Sequence, residues 1–226
     1  MTDEMCKIVH NKDHLCGMQF LREWVAYRWL RSLGMEAMSC EVLIVKGFKP
    51  ALELISQVVL KEPATVLVDE GVAGQIEPVF AKFEAKIVEV ERKQNCLDML
   101  TLSHELRGTS TRYVDGAALY YTNPGSLADG LGAECREELA AELNRHIAVL
   151  VEEISDSPIH LRGVQNGIII GDFQKYGQSD LVWLWAPPSM INELMYFNQS
   201  IGEWPCLDAQ ANLLGMLWDS DGEFLS

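Results

Sequence analysis

No lysine or arginine follows Lys175: the last 51 residues hold seven acidic side chains and no basic one. Over all 226 residues the imbalance is 18 basic against 33 acidic, a formal charge of −15. Affinity for a nucleic-acid backbone comes largely from Lys and Arg displacing counterions, so this charge argues against a nucleic-acid partner, and none is expected. No run of 18 or more apolar residues is present, which argues against a membrane span. The opening MTDEMCKIVHNKDH is polar and of mixed charge, unlike a signal peptide, and the chain is expected to be cytoplasmic. There is no G-x-S-x-G, Walker, Rossmann or H-E-x-x-H spacing, no internal repeat and no low-complexity stretch.

Six cysteines (Cys6, Cys16, Cys40, Cys96, Cys135 and Cys206) are scattered along the chain. A chain of this length needs no disulfide staple, so they are expected to be buried free thiols in a reducing compartment. Cys6, His10, His14 and Cys16 fall within eleven residues, but their spacing matches no common zinc site. Residues 1–16 are therefore read as an N-terminal segment, and no metal is expected.

What is present is alternation. Gln19–Leu33 carries Leu21, Trp24, Val25 and Trp29 at helical spacing, with Gly34 placed to stop it. Strands are expected at Val42–Val45, Val66–Val68, Ile87–Val90, Ala117–Thr122, Ile147–Val151, Gly167–Ile170 and Leu181–Trp185. Helices are expected from about Pro50, over Ile76–Phe83, Leu97–Leu106, Ala133–His146, Pro188–Phe197 and Leu207–Trp218. Short apolar strands separated by helices imply an α/β fold, a mainly parallel sheet with helices on both faces. The Trp183/Trp185 pair is read as strand packing.

The order of these elements resembles a known family. Gly17, Leu21-Arg22-Glu23, Gly34 and Gly47-x-x-x-Ala51-Leu52 are similar to the opening of fold-type I, pyridoxal-phosphate (PLP) dependent aminotransferases, especially the aminotransferase-like domain of MocR-type regulators. Val66–Asp69 looks like the family's V-x-V-E-D-P strand, and Phe80–Val90 like the unit after it. Ala118–Thr122 with Asn123-Pro124 resembles the strand before the Asn-Pro-x-Gly loop. Leu150–Ser157 resembles I-I-E-D-D-Y-D-S, and Ile168–Lys175 resembles I-Y-x-G-T-F-S-K. Ala186-Pro187-Pro188 and Gln210 also fall in matching places. The resemblance covers 17–226, implying a PLP-transferase-like large domain without the small C-terminal domain.

PLP chemistry needs an amine to hold the cofactor, an acid at the pyridine nitrogen, donors for the phosphate and a cation for the substrate carboxylate. The resemblance puts Lys175 at the Schiff-base position, with a solvated loop lysine as the alternative. It puts Glu153 near the pyridine nitrogen and Ser155 where the family has a tyrosine. Ala73 stands in place of an aromatic ring, and Ser126 or Leu127 in place of an asparagine. Gly47, Phe48 and Lys49 could offer backbone N–H groups to a phosphate at a helix start. The family's phosphate and carboxylate arginines would both follow the lysine, and none does.

Three readings follow. The first is an aminotransferase-like protein that has lost catalysis and serves a binding or assembly role. The second is a divergent PLP enzyme using Lys175, and the third a regulatory or oligomerisation module. The resemblance further implies a homodimer, and apolar surface on the last helix around Leu213, Leu214, Leu217 and Trp218 that the absent small domain would uncover.

Overall fold

Val42–Val45 (β1) is buried at every position, the mark of a strand covered on both faces. The computed structural model describes residues 15–62, 64–111, 114–115, 117–122, 131–154, 161–201 and 205–221. β2 (Ala64–Asp69), β3 (Lys86–Val90), β8 (Ala117–Thr122), β9 (Val149–Ile154), β10 (Gly167–Phe173) and β11 (Gln178–Trp185) complete a seven-stranded sheet. Its order is β1-β11-β10-β9-β8-β2-β3. β2 pairs in parallel with β3 and with β8, and β8 with β9, whereas β1 pairs antiparallel with β11. The fold is α/β with a mostly parallel sheet flanked by helices, as the alternation implies.

By their contacts the residues divide into two compact units, Met1–Ala51 with Ile170–Ser226, and Leu52–Ile169. In the first, α1 (Gln19–Trp24) runs directly into a π-helix, Val25–Leu30, and not into one regular helix to Leu33. The wider π turn brings side chains five apart onto one face. Trp24 and Trp29 accordingly meet edge to face at 5.9 Å between ring centroids.

The G…LRE pattern has a physical reason in this unit. Gly17 has φ +86°, and a Cβ there would lie 2.4 Å from that of Ile44. Buried Arg22 donates to the carbonyls of Gly17 and Ser39, at 3.0 and 2.9 Å. The fully buried Gln210, on α7 (Leu207–Asp221), accepts the Met18 N–H at 2.7 Å and donates to the Pro205 carbonyl. α6 (Pro188–Ile201) carries Asn198, which donates to the Leu15 carbonyl. Of the apolar surface expected on α7, Trp218 is exposed and Leu214 half-buried, but Leu213 and Leu217 are buried; Met216 is exposed beside Trp218. Both buried leucines lie on the inner side of an amphipathic helix that packs on β11.

The second unit holds α3 (Ala73–Phe80), α4 (Met99–Thr109) and α5 (Ala133–Arg145) with β2, β3, β8 and β9. α2 (Phe48–Val59) starts in the first unit and continues into the second. One core gathers Leu67, Leu102, Leu106, Tyr120, Leu139, Leu143 and Leu150. A short hairpin, β4 (Arg92–Lys93) with β5 (Cys96–Leu97), stands before α4, which starts two residues later than expected. A second small ladder joins β6 (Ser110–Thr111) to β7 (Val114–Asp115).

The expectation of free buried thiols fails in this unit. Cys96 and Cys135 form a disulfide with Cα atoms 5.4 Å apart. Two cysteines 39 residues apart are brought within bonding reach by the packing of the hairpin on α5, which spacing alone does not reveal. Cys40 and Cys206 carry exposed thiols, and Cys16 is buried. The Cys6/His10/His14 group lies outside the described residues.

Candidate functional site

Lys175 sits on a single 3₁₀ turn, Gln174–Tyr176, directly after β10. Gly177, at φ +74°, ends the turn, and the Asp172 side chain accepts the Gln174 N–H at 3.0 Å. The Lys175 side chain is exposed. Its Nζ lies 5.2 Å from the ring centroid of Trp29 and 5.1 Å from that of Tyr176, both within cation–π range. Trp24 meets Phe173 and Tyr176, and Trp29 meets Trp183. Lys175 thus lies on the rim of an aromatic cluster in the first unit. Gly171, four residues earlier, admits the Trp183 indole so closely that a Cβ there would lie 2.1 Å from a ring carbon.

Gly47, Phe48 and Lys49 form the turn from β1 into α2, also in the first unit. Gly47 has φ +82°, which favours glycine, and its N–H donates to the Val45 carbonyl at 3.0 Å. The first of the three donors expected for a phosphate is therefore taken by the turn itself.

Glu153 belongs to the second unit, near the carboxyl end of β9. Its carboxylate accepts the hydroxyl of Tyr121. Burial, and after it the Glu153 charge, raises the pKa of the Tyr121 phenol well above its ordinary value, so the proton stays on the tyrosine. On the other face of β8, Tyr120 donates to Asp69 Oδ1 and Thr122 to Oδ2, the latter at 2.7 Å. Glu152 is buried and accepts the Leu161 N–H at 2.7 Å. Ala73 stands at the start of α3, where its N–H and that of Gly71 donate to Glu89. Ser155, Asn123-Pro124, Ser126 and Leu127 lie outside the described residues.

Among the described residues, neither unit by itself presents the full set of groups that PLP needs. The amine is exposed against two rings, the acid holds a tyrosine hydroxyl, the first phosphate donor is taken, and Ala73 offers only a methyl. Sequence reasoning missed Tyr121 and the Asp69–Tyr120–Thr122 group. The signal was the Tyr-Tyr-Thr run closing β8, opposite an acid closing β2.

No family model matches the chain, and no curated protein matches it. Solved structures do. An archaeal alanine:glyoxylate aminotransferase matches with a TM-score of 0.75 at 18% identity, over 97% of this chain and 59% of its own. The chain has an aminotransferase fold. Similar matches come from an aspartate aminotransferase of Rhodobacter sphaeroides (TM-score 0.73, 17% identity, 89% of this chain and 56% of its own) and an N-succinyldiaminopimelate aminotransferase of Mycobacterium tuberculosis (0.70, 20%, 92% and 58%). These neighbours are fold-type I, PLP-dependent aminotransferases, and the chain spans little more than half of their length. At such identities the likeness carries the aminotransferase fold and not the activity. Among the described residues no helix is long and apolar enough to cross a membrane.

Proposed function

We propose that this aminotransferase-like protein has given up amino-group transfer and serves a binding or assembly role as a cytoplasmic homodimer. The observation that carries this reading is the state of Lys175: an exposed cation laid on Trp29 and Tyr176. An amine that attacks a carbonyl must be neutral, which burial in an apolar pocket favours. A π face stabilises the charged form instead. The engagement of Glu153 with Tyr121 supports the same reading, as does the absence of Lys and Arg from residues 176–226, where the resemblance puts the phosphate arginine soon after Lys175.

Absorbance of the purified chain with added PLP, before and after dialysis, tests the proposal. The expected result is no visible band from covalently held cofactor and PLP fully recovered in the dialysate. A retained band that disappears in Lys175→Ala overturns it and makes the chain a divergent PLP enzyme. Light scattering at micromolar protein is expected to return twice the chain mass; a monomer counts against the assembly role.

A further inference from the structure

A cavity of about 470 Å³ opens beside the Cys96–Cys135 disulfide. Residues 93–96 of the β4–β5 hairpin form one wall; Gly132, Cys135 and Glu138, at the start of α5, stand on the other. Two ties join these walls directly: the disulfide, and a hydrogen bond from the Gly132 N–H to the Asn95 carbonyl at 2.8 Å. The hairpin tip is strained, since Gln94 takes φ +56° without being glycine.

The two sulfurs are not equivalent. Cys96 is partly exposed, whereas Cys135 is 5% exposed and occupies the third position of a 13-residue helix. Cys96 is therefore the sulfur open to attack by an incoming thiolate, and Cys135, set in the core, is the one that leaves. Three charged groups line the cavity. Lys93 is paired with Asp98 at 2.7 Å, and Glu134 and Glu138 are exposed carboxylates whose opposing effect is screened by salt. Neither anchor depends on the bond: Leu97 holds the hairpin base in the core, and Leu139 and Leu143 hold α5.

We propose that Cys96–Cys135 is a reversible redox clasp, opened by a dithiol reductant and closed by a disulfide oxidant, that fastens the hairpin to α5. One thiolate of the reductant bonds to Cys96 Sγ as the Cys96–Cys135 bond breaks, and the electron pair leaves on Cys135. The reductant's second thiol then displaces Cys96 and departs as a disulfide. Two electrons and two protons pass to the protein, which is left with two thiols. This part of the inference rests on the proposed cytoplasmic location, where a disulfide that persists only under oxidation acts as a sensor and not as a staple.

The full chain equilibrated with thioredoxin of known redox state, then alkylated and mapped by mass spectrometry, provides the test. Oxidised protein should yield a linked Cys96–Cys135 peptide. Reduced thioredoxin should remove that link and add two alkyl groups per chain. Far-UV circular dichroism should be unchanged, and hydrogen exchange should accelerate at least tenfold in the hairpin and the first turn of α5. A Cys96→Ser/Cys135→Ser variant should keep the fold and show fast exchange in both redox states. Absence of the linked peptide, its survival in reduced thioredoxin, or unfolding on reduction would each overturn the proposal. None of these readouts involves PLP, so this result and the cofactor test stand apart.

Discussion

Tyr120 of β8 reaches across to β2 and donates its hydroxyl to Asp69, with both side chains buried. Burial, and after it the Asp69 charge, raises the pKa of the phenol far above its ordinary value, so it remains a donor at any working pH. Thr122 supplies the other carboxylate oxygen. Tyr120→Phe takes one donor from a buried carboxylate without changing the ring. It should lower unfolding stability by about 1–3 kcal/mol in a urea titration, with the circular dichroism spectrum retained.

Gly171→Ala places a methyl inside the Trp183 indole. Trp183 is fully buried, so the ring cannot swing into solvent. The expected cost is about 1–3 kcal/mol or more, with a changed tryptophan emission spectrum as a second readout. Gly74, with nothing near its Cβ direction, serves as a control: Gly74→Ala should be neutral or mildly stabilising in the same assay.

Glu142 on α5 ties two helices together, accepting the Ser103 hydroxyl of α4 at 2.6 Å and facing Arg145 and His146. Burial pushes its carboxyl up, but Ser103, Arg145 and His146 outweigh that and leave it below its ordinary value of 4.5. With the folded value below the unfolded one, its stabilisation is complete above about pH 4.5 and is lost as the pH falls through the folded value. Urea midpoints measured from about pH 6 to 3 should fall less steeply in Glu142→Gln than in the parent chain.

Reduction of Cys96–Cys135 releases a 39-residue separation in the unfolded chain. Chain-entropy reasoning gives about 2–4 kcal/mol for a loop of this length. Urea unfolding with and without reductant should differ by that amount, while Cys96→Ser should show no effect of reductant beyond its own loss.

Much of the fold could be read from the chain because buried parallel strands are short apolar runs. Val42–Val45 and Ala117–Thr122 came out with the expected bounds, and α5 ended one residue early. The π-helix was hidden because Leu21, Trp24, Val25 and Trp29 satisfy a helical period whether or not the turn widens. The β4–β5 hairpin was hidden because its strands are two residues each, too short to show alternation. At the candidate site, the placing of Lys175 after a strand was legible. Its aromatic bed was not, since Trp24 and Trp29 lie some 150 positions earlier and meet Tyr176 and Lys175, respectively, only through the fold.

Met18 and Gln210 join through a hydrogen bond spanning 192 positions, within a unit assembled from the first 51 residues and the last 57. A ribosome makes the early part before Leu52–Ile169 and the late part after it. Leu52–Ile169 is continuous and can condense as it emerges, whereas Arg22, Ile44 and the rest of the early segment must wait for partners not yet translated. During that interval the nascent amino end displays Leu21, Val25, Leu30 and the β1 edge unprotected. Chaperone demand during synthesis should therefore concentrate on the first fifty residues, and a chain stopped short of α7 should leave them prone to aggregate.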